Sequence, residues 1–427
     1  MDRQFVFIIV LVLAGAFFFE RLSSSQNMAS PLMTGPQLER GPTALIIQPR
    51  FVGPSVSYFD YLNGDGNLNF LRCSNTLCTF RNIVTVDTGG IVVNSTGTYP
   101  INVGSYSSLA KDTSGLPIIS YLDTSNYELE FLHCGDTLCN SGNSLTTLDT
   151  VTPPGSVYIH LSSTSVALGS DNLPVISYTT LSSFSGLLEL DVVHCGNLDC
   201  EIGNTISTVD YSNNGALGSI GFSSLAIAPD GYPIISYQDS PNLRIAKCHN
   251  TDCSVASNVA VDSVVGYWTS ITIGADNLPI ISYIDGVNWD LKVAHCGTLD
   301  CTSGNTITTV DSLGFIGYWT SITIGADNLP IISYHDSTNK DLKVAHCGTL
   351  DCTSGNTITT VDSLGDVGTY SSITKGTGAG SYPFISYYDA TNGDLKVVSC
   401  GTLDCTSGNT ITTVDSLGYV GSYTSAE

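Results

Sequence analysis

Six acidic side chains recur at one place in a repeated pattern: Asp60, Asp123, Asp239, Asp285, Asp336 and Asp389 each close a short run of the type SYxD. In three copies a second element follows as D-x-x-N-x-D-L. It gives the sets Asp285, Asn288 and Asp290; Asp336, Asn339 and Asp341; and Asp389, Asn392 and Asp394. Oxygen-rich groups of this kind have two uses. They cap turns through side chain to backbone hydrogen bonds, or they hold calcium, which wants clustered oxygen ligands. The spacing departs from the D-x-[DN]-x-[DN]-G loop and no bidentate Glu follows. Capping is therefore the first expectation, and calcium is the one cofactor candidate.

The three tryptophans, Trp268, Trp289 and Trp319, fall beside these turns in the repeat, with Tyr267, Tyr318, Tyr370 and Tyr106 close to them. Flat apolar rings next to carboxylates and amides are what a sugar-binding surface uses, one to stack on and the other to fix hydroxyls. The candidate binding set is Trp268, Trp289, Trp319, Tyr267, Tyr318, Asp285, Asp336, Asp389, Asn288 and Asn339. The competing role for the rings is packing between neighbouring units. Catalytic patterns are sparse. A carboxylate pair for glycoside hydrolysis would have to come from the Asp series, where every unit offers the same residue. His160 and His335, with Tyr267 or Tyr318, have the types for the base and acid of a polysaccharide lyase. No G-x-S-x-G, P-loop or H-E-x-x-H occurs, and no catalytic residue is nominated.

These residues are positioned by a repeat. Residues 266–316 and 317–367 are one 51-residue unit written twice with six differences, and fainter copies fill nearly all the rest. Each unit shows four short period-2 runs broken by turn residues. In the unit from Gly266 they are Ser270–Ile273 (A), Pro279–Asp285 (B), Leu291–Cys296 (C) and Thr306–Asp311 (D). Four antiparallel strands per unit predict an all-β fold, a β-propeller, and the B-strand signature occurs seven times, so seven blades. Strand A is small and thin, as a crowded axis requires, B carries the bulk, and Thr-rich D suits an exposed edge.

All fourteen cysteines share one spacing, C-x4-C. The pairs are Cys73 with Cys78, Cys134 with Cys139, Cys195 with Cys200, Cys248 with Cys253, Cys296 with Cys301, Cys347 with Cys352, and Cys400 with Cys405. A four-residue hairpin loop sets its flanking cysteines opposite each other, so this reads as one local disulfide per blade. Zinc is the alternative, since a His precedes several of the pairs, but each blade offers too few ligands for a closed site.

In a propeller the B–C and D–A connections share one face, here called the top. All six differences between the twin units fall on that face. The long D–A connections 87–106, 149–163 and 210–223 lie there too, while the C–D loop keeps four residues in every copy. Recognition usually resides on such variable loops over a rigid scaffold.

The chain is organised as residues 1–25, a signal peptide or an uncleaved anchor with an apolar run from Phe5 to Phe19; 26–42, a linker; and 43–427, the propeller. The segment TALIIQPR, from Thr43, aligns with strand A of the first blade. Residues 421–427 re-enter the same register, where they either close the ring or mark a clipped end. A net charge of −24 with only 12% charged residues excludes nucleic acid as a partner. A membrane partner would require the N-terminal segment to stay attached. Disulfides and an export signal place the chain outside the cell, secreted or at the cell surface.

The motifs PIISYID, DLKVAHC and CGTLDC resemble the tandem PIISYxD…DLKVAHC repeats of exported proteins of environmental microbes. They are also loosely similar to sialidase-like (BNR-type) propeller repeats. The resemblance covers roughly residues 43–427 and implies the fold. The sialidase Asp-box S-x-D-x-G-x-x-W is absent, and Arg50, Arg72, Arg81 and Arg244 fall outside the top loops, so sialidase activity is not implied. The functional expectation is a non-catalytic propeller that binds a glycan or surface polymer through the top face. The alternatives are a carbohydrate-active enzyme (lyase or glycosidase) and a structural surface or matrix component.

Overall fold

The computed structural model describes residues 53–427 except 63–64, 95–96, 151–162, 182–186, 213–219 and 379. The signal, linker and Thr43 segments therefore lie outside the described residues, as does His160. The rest forms seven four-stranded antiparallel sheets, each a blade. In the fifth blade the strands are Gly266–Ile273, Pro279–Asp285, Leu291–His295 and Thr306–Asp311, paired in that order. Strand A starts four residues earlier than its period-2 pattern predicts. A bulge between Tyr267 and Ser270 breaks the alternation, yet Gly266 and Tyr267 still pair with Asp285 and Ile284.

Strand B is buried along its whole length in blades such as those of Pro279–Asp285 and Pro330–Asp336. It is covered by A and C within its sheet and by a neighbouring blade on each side, which is why PIISY is a continuous apolar run rather than an alternating one. Seven hydrophobic clusters fill the seven spaces between blades. One of them joins Ile280, Leu291 and Val293 of the fifth blade to Ile322, Ile332 and Tyr334 of the sixth. Strand D alternates between half-buried and exposed positions, as in Thr306–Asp311.

The ring closes with its two ends in one sheet. The first blade has the order Arg81–Asp87, Asp65–Cys73, Ser55–Leu62, Tyr419–Ala426, so the C-terminal strand takes the innermost place. That is the place the alignment offers to the Thr43 segment. In the long connection after Asp87, strands Ile91–Asn94 and Gly97–Pro100 form a hairpin of their own.

All seven expected disulfides are formed, with Cα separations of 4.7–5.0 Å: Cys73 to Cys78, Cys134 to Cys139, Cys195 to Cys200, Cys248 to Cys253, Cys296 to Cys301, Cys347 to Cys352 and Cys400 to Cys405. No free cysteine is left for zinc. The pairs do not face each other across a hairpin, however, which corrects the sequence expectation. In the fifth blade strand C ends at His295 and strand D begins at Thr306, so the bridge closes a turn inside a longer connection. The turn is made by the Cys301 N–H donating to the Thr298 carbonyl, and Asn305 straps it by donating to the Cys301 carbonyl. The second cysteine of each pair accordingly leaves the β region. Cys78, Cys139, Cys200, Cys253, Cys301, Cys352 and Cys405 have φ between 51° and 54°. That conformation is uncommon outside Gly and Asn, and the C-x4-C spacing gives no sign of it.

Each cysteine pair also belongs to an inter-blade cluster, Cys347 and Cys352 to that between the fifth and sixth blades. Replacing both by Ala should lower stability by about 2 kcal/mol, the loop-entropy value for so short a loop. A denaturant titration read by fluorescence checks this, and an unchanged midpoint would contradict it.

Candidate functional site

Three tiers of side chains on the innermost strands build the top of the central axis. The first is aromatic. Tyr106, Phe222, Trp268, Trp319, Tyr370 and Tyr423 occupy the bulge of six blades, each with a positive φ between 47° and 54°. A bulky residue in the left-handed region is a true outlier, and strain of this kind collects where a side chain must be aimed. Consecutive ring centroids lie 4.9, 5.8, 5.0, 4.6 and 4.3 Å apart, from Phe222 through Trp268, Trp319, Tyr370 and Tyr423 to Tyr106. The third blade carries Ser163 instead. Its Oγ lies 3.1 Å from the Ser223 Oγ and accepts the Ser223 N–H. The ring is thus complete except at one blade.

Beneath lies a tier of buried hydroxyls: Ser107, Thr164, Ser223, Thr269, Thr320, Ser371 and Thr424. Each bonds the Ser of the preceding blade's SY pair, from Ser57–Ser107 round to Ser386–Thr424. A third tier locks the strands to each other. Ser108, Ser165, Ser224, Ser270, Ser321, Ser372 and Ser425 each accept a backbone N–H from the next strand, at 3.0–3.3 Å, including across the closure. The aromatic and hydroxyl tiers enclose a depression of about 180 Å³, and none of the side chains lining it is charged.

The structure divides the candidate aromatics into two sets. Trp268 and Trp319 line the depression. Tyr267, Trp289 and Tyr318 form a parallel stack just outside it, with centroids 5.8 and 5.5 Å apart and planes within 5°. Both faces of Trp289 are taken, so this stack acts as a buttress. Tyr318 reaches Trp268 at 4.8 Å. Of the other ring members, Tyr106 and Tyr370 stand beside the tryptophans in the sequence reading but outside the candidate binding set, and Phe222 and Tyr423 are in neither group. The signal was present as the aromatic preceding [ST]-S in GFSS, GYWTS and GSYTS, but only the bulge tells which ring of a YW pair faces the axis.

The nominated carboxylates and amides are placed elsewhere. Asp336 is fully buried and accepts the N–H groups of Thr338 and Asn339, the Asn339 amide and the Lys343 ammonium at 2.8 Å. Asp285 with Asn288 and Lys292, and Asp389 with Asn392 and Lys396, repeat the arrangement. Burial raises the carboxyl of Asp336, but Lys343 and the Asn339 donors outweigh it and hold it below the usual range. These are caps closed by an ion pair. None lines the depression, and among the described residues no three His, Cys, Asp or Glu side chains are gathered as a metal site.

The same Lys also serves the next structural pair. In every blade the Tyr of the SY pair donates to the Asp near the end of the preceding blade's strand D, for example Tyr334 to Asp311 at 2.8 Å. Lys343 lies 3.3 Å from Asp311, as Lys396 does from Asp362. Arg244 takes this slot in the fourth blade, between Asp210 and Asp239. The second and third blades put Glu130 and Asp191 there, opposite Tyr121 and Tyr178 in the register.

Of the acid/base candidates, His335 is buried beside Trp319, ring centroids 5.7 Å apart. Nε2 lies 3.2 Å from Asp366 and Nδ1 3.1 Å from the Ser337 hydroxyl. Burial pulls its basicity down, against the opposing pull of Asp366.

No family model matches the chain, and no curated protein matches it. Among solved structures it is similar to a protein from Lactobacillus plantarum, at 11% identity and TM-score 0.54, covering 86% of this chain and 99% of that one. It is also similar to the α-L-arabinanase of Penicillium chrysogenum, solved with arabinobiose (12% identity, TM-score 0.46, 73% and 93% covered). A third is a Hadza microbial sialidase (9% identity, TM-score 0.47, 77% and 72% covered). At these identities the likeness is one of fold alone, the fold the repeats predict.

Proposed function

We propose that the protein is an extracellular binding propeller that takes a glycan or surface polymer at the top of its axis, without chemistry. One observation carries this reading: a near-complete ring of aromatic side chains above a tier of hydroxyls, with no ionised group in the lining. Such a wall stacks on the apolar face of a sugar ring. The seven disulfides suit an oxidising, extracellular setting. A glycan-array screen of the purified chain, with calcium and with chelator, tests the reading. Binding to a defined sugar class that falls about tenfold or more in Trp268→Ala and in Trp319→Ala, each worth more than about 1.4 kcal/mol, is the expected result. Silence in both conditions, or binding that both variants retain, would overturn it.

A second reading, a carbohydrate-active enzyme of the lyase type, is favoured by the placement of His335, paired with Asp366, against Trp319. Unsaturated product released from a polysaccharide panel, and lost in His335→Ala, would establish it and displace the non-catalytic reading.

A further inference from the structure

We propose that the slot left by Ser163 in the aromatic ring receives one neutral pyranose unit of the β-gluco configuration, held between Tyr106 and Phe222. This rests on the reading that the depression is a glycan site, and it names the sugar the site selects.

The slot follows from how the rings stand. Steps of 4.3–5.8 Å between centroids are too short for six-membered rings set face-on around the axis. Neighbours therefore cover each other's faces and turn their edges to the axis. Their planes are inclined by 39°, 51°, 46°, 60° and 40°, in keeping with the turn of about 51° from one blade of seven to the next. Trp319, for example, has Trp268 on one side and Tyr370 on the other. The series ends at Tyr106 and Phe222, because Ser163 has no ring to place between them. Among the described residues Tyr106 meets only the ring of Tyr423, and Phe222 meets only rings of the fifth blade, Trp268 and Tyr267. Each keeps toward the third blade a face that no other ring covers. The slot has the room of one six-membered ring, the one that six blades supply from their own innermost strand.

The walls and the base decide which ring fits. The walls are apolar and stand on both sides, so both faces of the guest must be free of polar groups. A pyranose with every substituent equatorial, as in the β-gluco configuration, shows only C–H groups on its two faces. An axial hydroxyl would be pressed against Tyr106 or Phe222 and lose its water without a partner. The base is polar. The Ser163 Oγ lies 3.1 Å from the Ser223 Oγ, which lies 3.3 Å from that of Ser177, and Thr179 adds a hydroxyl 3.5 Å from Ser163. Hydroxyls donate or accept as the partner requires. They suit the equatorial hydroxyls along the edge of a sugar and offer a phenyl ring nothing. No Lys, Arg or His lines the depression, and the net charge of −24 repels anions, so the unit is a neutral sugar rather than a uronic acid.

The test is titration calorimetry of the purified full chain with methyl β-D-glucopyranoside and with its 4-epimer, methyl β-D-galactopyranoside, whose axial hydroxyl stands on one face. The gluco probe should bind at least about tenfold tighter. Ser163→Tyr, which puts the missing ring into the slot, should abolish that binding, with folding checked by circular dichroism, and Phe222→Ala should weaken it about tenfold or more. Equal affinity for the two probes, no affinity for either, or binding that a folded Ser163→Tyr chain retains would overturn the assignment. If Ser163→Tyr does not fold, Phe222→Ala takes its place, and native affinity in that variant overturns the assignment. If it is overturned while the glycan screen is positive, the glycan reading stands by itself. If both fail, the depression is not a glycan site.

Discussion

Replacing Glu130 with Gln and Asp191 with Asn should raise the stability of the protein at pH 8 by about 3–5 kcal/mol and change it little at pH 4. Both acids stand where the later blades place Lys. Burial, then the fields of Glu128, Asp87 and Asp123, push Glu130 up to about 7, against one hydrogen bond from Thr147. Burial, then Glu189 and Asp149, push Asp191 up to about 7, against a bond from Thr208. Each has a buried oxygen with no partner, Oε2 of Glu130 and Oδ1 of Asp191. An acid whose folded-state pKa is raised holds its proton more tightly folded than unfolded. Its stability contribution is whole below the ordinary carboxylate range of about 4 and is lost as pH rises through about 7. The native chain should therefore weaken between those limits, and the amide variants should weaken less, since raised acids such as Asp60 remain.

Shifts of this size correspond to a few kcal/mol each at about 1.4 kcal/mol per pH unit, and the figure above is discounted for partial solvation of Glu130. The Gln amide keeps an acceptor for Thr147 and removes the charge that Glu128, Asp87 and Asp123 repel. Denaturant midpoints measured from pH 4 to pH 8 check the prediction. A native chain as stable at pH 8 as at pH 4, with no gain in the variants, would refute it.

Asp311→Ala should cost about 3–5 kcal/mol at neutral pH, far more than an ordinary surface change. Asp311 is the acceptor shared by the Tyr334 hydroxyl and the Lys343 ammonium, and all three are buried. Removing it strands a phenol with no water to turn to. The loss should be partly recovered in the double variant Asp311→Ala, Tyr334→Phe, because the orphaned hydroxyl is then gone. Additive losses in that cycle would show that the two groups do not act together. The pair lies in the wall between the fifth and sixth blades rather than at the axis, so binding at the depression should survive in the folded fraction.

Both predictions rest on residues that the repeat displays openly and that sequence reading did not assign. The Tyr of the SY pair and the Asp closing strand D stand in every copy, but they meet only across blades, at separations such as the 23 residues between Asp311 and Tyr334. Within one 51-residue unit nothing indicates that the next unit supplies the partner. The slot of Lys343 has the same character. Its replacement by Glu130 is visible in an alignment, yet its meaning depends on the two carboxylates that the fold brings to it.

What the sequence alone determined was whatever is local and repeated. The period, the four strands, the turns and the seven disulfide pairings each arise within a few residues, because hairpin pairing and so close a cysteine spacing leave little choice. The assignment of loops to two faces followed from strand alternation by the same logic. The tertiary structure decided what depends on distant groups meeting. The strand Tyr419–Ala426 takes the innermost place of the first blade. A bulge with positive φ turns Trp268 to the axis and leaves Tyr267 in the stack outside it. Asp285, Asp336 and Asp389, named among the candidate binding residues, are buried and paired with Lys residues seven positions later. In each case the deciding energy is burial and pairing that only the assembled ring provides, and a local pattern carries no record of it.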